Sequence, residues 1–134
     1  MLDFGGLNWW AIIVATAAAF ALGALWYGPM FGKAWVAALG KTEDEIQPSP
    51  EPFIVSAVAA LVTCVVVAAL MEGLQMTGLI TGIVFGLITG VGFIATSMAS
   101  DNAFCGWGWK LWGIQAGYRV TYSALMGGII GIWS

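Results

Sequence analysis

"GLITGIVFGLITG", residues 78–90, carries a glycine at every fourth position (Gly78, Gly82, Gly86, Gly90) in a run otherwise made of Leu, Ile, Val, Phe and Thr. Glycine inside a soluble helix costs ~1 kcal/mol relative to alanine, so four in register require a compensating contact. In lipid the hydrophobic effect does not draw helices together, and small residues four apart form the groove that lets two backbones approach. Comparable rows recur along the chain: Ala11, Ala15, Ala19 and Gly23; Ser56, Ala60, Cys64 and Ala68; Gly113, Gly117, Ala124 and Gly128. A strict four-residue step drifts ~40° around a helix, which suits right-handed crossings. The spacing also accounts for the two "GLITG" copies without a duplicated domain. A glycine-lined pore is the rival reading, but the same residues pack helices in proteins that conduct nothing.

Composition agrees with a membrane solvent. Of 134 residues, 60% are hydrophobic and 8% charged, against about a quarter charged in a soluble domain. The net charge of −3 comes mostly from Glu43, Asp44, Glu45 and Glu51 in one loop. The four Lys and Arg are scattered and form no basic patch for nucleic acid. The opening "MLDFGGLN" has Asp3 and no basic residue, unlike a secretory leader, and reads as the approach to an uncleaved first span.

Four stretches reach the ~20 residues needed to cross a ~30 Å hydrocarbon layer: residues 8–27, 53–73, 77–100 and 110–133. The first is expected to stop at Gly28-Pro29, and the second to use Pro52 in its first turn. Trp9, Trp10 and Trp133 are placed at one interface, with Trp26, Tyr27, Trp107, Trp109 and Trp112 at the other. The expected fold is all-α, an integral membrane four-helix bundle in a single domain. "FGKAWVAALG", residues 31–40, sets Phe31, Trp35 and Leu39 four apart and predicts a short interfacial helix. An acidic, proline-rich loop at 41–52 follows, with "TEDE" at capping-box spacing. Lys33, Lys41 and Lys110 lie in the first and third loops, so the positive-inside rule places those loops in the cytoplasm and both termini outside.

The fourth span holds the one charge well inside a predicted helix. Arg119 lies nine residues past Lys110, or ~14 Å along the axis, where a charge costs at least ~2.5–3.5 kcal/mol on insertion scales. Gln115, Tyr122 and Ser123 share its side, and Gly117 lies ~200° away. One face thus packs a neighbour, and the other meets a polar cavity, a carboxylate or a second protomer. Asp101 and Glu72 are the candidate carboxylates, Asp101 being favoured if Arg119 snorkels inward.

Other chemistries lack their residues. The chain has no histidine, so no Ser-His-acid set exists, and Cys64 and Cys105 have no zinc-like spacing. The glycine series follows no strand and lacks a phosphate-binding lysine, so it is neither a P-loop nor a dinucleotide fingerprint. An enzyme, a metal centre and a cofactor are therefore not expected.

"NWWAIIVATAAAFALGALWYGPMFGKAW", residues 8–35, and "GYRVTYSALMGGIIGIW", residues 117–133, resemble the small bacterial membrane proteins catalogued as domain of unknown function 1761. The likeness covers nearly the whole chain, and "GALWYGPMFGKAW", Gly23 to Trp35, is its most specific element. The resemblance implies four spans and a bacterial inner membrane, and no activity. Two functions are expected to compete. One is a non-catalytic assembly or accessory protein contacting itself or another membrane subunit. The other is a homo-oligomeric channel or transporter with Arg119, Gln115 and Tyr122 at the binding face. Proton-coupled drug export is disfavoured, because the first span holds no carboxylate.

Overall fold

The computed structural model describes residues 4–40 and 50–133, so most of the acidic loop, including Lys41 and the "TEDE" cap, lies outside the described residues. The chain is all-helical among those residues: α1 (Trp9–Leu25), α2 (Gly32–Ala38), α3 (Pro50–Gly73), α4 (Leu79–Thr89), α5 (Thr96–Cys105) and α6 (Trp109–Trp133). Trp9–Met30, Pro50–Gly73 and Leu79–Cys105 are each long and apolar enough to cross a membrane. Only 22%, 28% and 28% of these spans is buried by protein, so side chains such as Ile54, Val58, Val62, Ile80 and Ile88 present an apolar exterior. That exterior fits a lipid bilayer and no aqueous setting.

The fourth helix departs from the expectation of four equivalent spans. α6 has 25 residues, but Lys110, Gln115 and Arg119 keep it below the apolarity of the other three. Its position supplies the reason. α6 packs against every other helix, most extensively α4 and then α1, and ten of its residues are buried. A rod wrapped in protein does not need an apolar surface on all sides.

Local signals set the helix ends. Asn8 caps α1, its Oδ1 accepting from the Ala11 amide at 3.2 Å. The chain does not stop at Tyr27. It widens into a π turn, Trp26–Met30, bent at Gly28 (φ −101°, ψ −107°), in which the Phe31 amide reaches back to the Trp26 carbonyl. A wider turn absorbs the amide that Pro29 lacks. α3 starts at Pro50, earlier than expected, because prolines in a first turn have no intrahelical bond to lose. The third span does not end at Ser100. After α4 a second π turn, Gly90–Ala95, leads into α5, which runs on to Cys105 and ends where Gly106 adopts a left-handed φ of +69°.

The α4–α6 seam supplies the contact that the four-residue glycine spacing requires. A methyl on Gly82 would fall on the Gly127 carbonyl, one on Gly86 on the Ser123 carbonyl, and one on Gly90 would lie 3.0 Å from the Val120 Cα. Two of these close contacts are backbone against backbone carbonyl, an approach that only glycine permits. Gly78 joins the row differently: it precedes the helix at φ +97°, its amide donates to the Gly131 carbonyl at 2.9 Å, and its own carbonyl lies where a methyl on Gly131 would fall.

The expected α6 row needs correction at Gly113 and Gly117. Gly113 meets nothing within 4 Å, Gly117 lies beside the Trp26 indole, and Gly128 faces the side chains of Ile83 and Leu79. The residues against α4 are Val120, Ser123, Ala124, Gly127, Gly128 and Gly131, so Ala124 and Gly128 of the expected row do face α4, joined there by their neighbours Ser123 and Gly127. Between α1 and α3, Ala11, Ala15, Ala19, Ala60, Cys64 and Ala68 are all buried, and the Cys64 thiol donates to the Ile12 carbonyl at 3.7 Å. Ser56 is exposed, so that row begins at Ala60. Gly23 meets Tyr118 instead of a backbone: a methyl there would sit 2.9 Å from the phenol oxygen.

Candidate functional site

Arg119 is the eleventh residue of α6, ~15 Å from its start at 1.5 Å per residue. Its Nη1 donates to the Tyr122 hydroxyl at 3.3 Å, and its carbonyl accepts from Ser123 Oγ at 2.8 Å. All three tyrosines of the chain gather here. Tyr122 meets Tyr118 edge-on (centroids 5.0 Å apart), and Tyr118 meets Tyr27 at 5.4 Å. The Tyr118 hydroxyl donates to the Ala19 carbonyl at 2.9 Å, tying α6 to α1. Such edge-to-face rings place electron-poor hydrogens against electron-rich faces and hold one another's rotamers.

Trp26, Tyr27 and Trp35, expected as interfacial anchors, pack inward. The Trp26 indole donates to the Ile114 carbonyl at 2.9 Å, and Tyr27 stacks edge-on with Trp35 at 5.3 Å. Trp9, Trp10, Trp109 and Trp133 remain exposed. The difference arises at the π turn, which swings the residues after Leu25 onto α6.

The other side of Arg119 opens into a cleft of about 340 Å³ between α5 and α6. Asp101, Asn102, Gln115 and Arg119 supply its polar atoms, and Ile94, Met98, Trp107 and Trp112 its apolar walls. The second π turn shapes this wall: it brings Ile94 to the cleft and offers the Ala95 carbonyl, which accepts from the Trp112 indole at 3.0 Å. Asn102 is buried and holds the α5–α6 turn, its side-chain amide donating to the Gly108 carbonyl at 3.0 Å. Gly108 takes φ +82°, a conformation suited to glycine.

Arg119, Gln115 and Asp101 therefore share one cleft, and Tyr122 holds the guanidinium from behind. Glu72 does not join them. It is exposed in the last turn of α3, at the end of the bundle where Gly78 meets Gly131. Among the described residues no carboxylate lies within 4 Å of the guanidinium, Asp101 included. Asn102 and Tyr118 escaped the sequence reading, and Trp107 and Trp112 were read only as interfacial residues. Trp112 carried a signal, since 112, 115 and 119 fall on one helical face.

A planar guanidinium in a partly dry cleft is suited to bind a carboxylate or phosphate through paired N–H groups. Neither cysteine reaches it: Cys64 is buried under α1, and Cys105 is exposed and does not line the cleft. No group of three or more metal-ligating side chains occurs among the described residues. No curated protein matches the chain, and no solved structure does. One family spans nearly all of it, covering residues 10–131, from Trp10 to Gly131 of the seam. The chain belongs to that family, described as protein of unknown function DUF1761.

Proposed function

We propose that this is a non-catalytic accessory protein of the bacterial inner membrane, whose Arg119 cleft holds an acidic group of another membrane component. One observation carries the reading: Arg119 faces an open cleft with no carboxylate of the described residues in ion-pair contact, although placing an unpaired charge in a spanning helix is costly. A group retained at that cost is suited to pairing with something brought from outside. The α4–α6 seam supports a rigid scaffold, because its backbones touch and leave no passage between those two helices. The orientation that follows puts Lys33 and Lys110, and with them the mouth of the cleft, on the cytoplasmic side. Self-association or docking to a second subunit would use the exposed apolar faces of the outer helices.

A second reading, solute transport by a homo-oligomer, draws on the position of Arg119 partway along a helix of spanning length. Two measurements decide between them. Trp107 and Trp112 line the cleft, so titrating the detergent-solubilised protein with dodecyl phosphate should change the tryptophan emission of the wild type and leave Arg119→Gln unchanged. Liposomes containing the wild type should show no solute-specific flux. Flux that disappears in Arg119→Gln would replace the accessory reading with transport.

A further inference from the structure

The cleft carries two opposite charges that do not meet. Asp101 and Arg119 both line it, yet they are not in ion-pair contact. A cleft built for a simple anion gains nothing from a carboxylate in its wall, since like charges at close range repel. A cleft meant only to hide Arg119 would close the pair, because an unpaired guanidinium beside an available carboxylate leaves attraction unused. Opposite charges held apart across an open space complement a ligand that carries both signs.

Resting on the reading above, we infer that the cleft takes the headgroup of a zwitterionic phospholipid bearing a primary amine, with its phosphate on Arg119 and its ammonium on Asp101. The order along the helix axes matches this ligand. Arg119 lies two to three turns into α6, whereas Asp101 is about one turn from the end of α5, near the turn that carries Trp107. A phospholipid likewise carries its phosphate next to the acyl chains and its amine farther out. Trp107 and Trp112 flank the outer part, where an indole face attracts an ammonium. Gln115, one turn before Arg119 on α6, also lines the cleft and offers both a donor and an acceptor. Ile94 and Met98 form an apolar wall leading from the cleft to the exposed Phe93, a surface that acyl chains can follow. The volume of about 340 Å³ falls at the small end of the ~300–1,000 Å³ usual for small-molecule sites, which suits a headgroup and not a whole lipid.

The test uses the full chain in nanodiscs, with bound lipids counted by native mass spectrometry. The discs hold phosphatidylethanolamine or phosphatidylglycerol with identical acyl chains. Wild-type protein should retain phosphatidylethanolamine roughly five- to tenfold over phosphatidylglycerol, the scale of one partly shielded ion pair with a cation–π contribution. Asp101→Asn changes an exposed residue and should abolish that preference while phosphatidylglycerol still binds. Arg119→Gln should lose both lipids, with a thermal melt confirming that it folds. Equal retention by the wild type together with loss of both lipids in Arg119→Gln overturns the zwitterion inference and leaves the acidic-group reading standing. Undiminished binding by Arg119→Gln overturns both. Water-soluble phosphoethanolamine that displaces the lipid at equal concentration would show the ligand to be a free zwitterion and would overturn the lipid assignment.

Discussion

α6 is gripped in two opposite ways. Against α4 it packs by lacking side chains: Gly127 and Gly131 let the carbonyls of Gly82 and Gly78 lie against the α6 backbone, and both glycines are buried. Against α1 it packs by large side chains, with Tyr118 filling the space left at Gly23 and Trp26 lying over Gly117. The first contact is backbone on backbone and tolerates no added atom. The second is ring on backbone and adjustable by rotation. A rigid seam on one side lets the other side hold a costly charge without loosening the bundle.

The comparison predicts a graded series of substitutions. Gly86→Leu should have the largest effect, because its first side-chain atom already falls on the Ser123 carbonyl. Overpacking against movable side chains costs ~1–3 kcal/mol, and fixed backbone should raise this until little folded protein is recovered by size-exclusion chromatography. Recovery of a normally melting Gly86→Leu protein would break the distinction between the two contacts. Tyr118→Phe removes one bond, to the Ala19 carbonyl, and keeps the ring. It should lower stability by ~1 kcal/mol, read as a modest drop in melting temperature. Gly113→Ala should be nearly neutral or stabilising by up to ~1 kcal/mol, since its methyl meets nothing within 4 Å and alanine is the better helix former. A large loss there would mean that Gly113 lies in an interface between protomers.

How much of this was legible in the sequence depended on where the deciding information lies. The row Gly82, Gly86 and Gly90 could be read because a four-residue period belongs to one helix. Its partner row could not. Gly127 and Gly128 are adjacent and both meet α4, and only the position of α4 sets Gly127 against its backbone and Gly128 against the side chains of Leu79 and Ile83. The same holds for the aromatics. Tryptophan and tyrosine near a span end favour the interface on average, but the π turn at Trp26–Met30 turns Trp26 and Tyr27 inward. Gln115 and Arg119 were placed together by helical spacing alone. Asp101 needed only the α5–α6 turn to bring it to them, whereas Glu72 failed because nothing folds the α3 end back toward the cleft. The π turn at Gly90–Ala95 had no clear sequence mark, since a single wider turn leaves composition unchanged.

α6 presents an open polar face at Gln115 and Arg119 and a sealed face at Ser123. Single cysteines placed at Gln115 and Ser123 in a Cys105→Ser background test it, because Cys64 is buried and should stay silent. In native membranes, a charged, membrane-impermeant thiol reagent added from the side bearing the cleft mouth should label Gln115→Cys, which lines the cleft. It should spare Ser123→Cys, whose position is 0% exposed. Equal labelling of the two, or labelling of Ser123→Cys alone, would contradict the account.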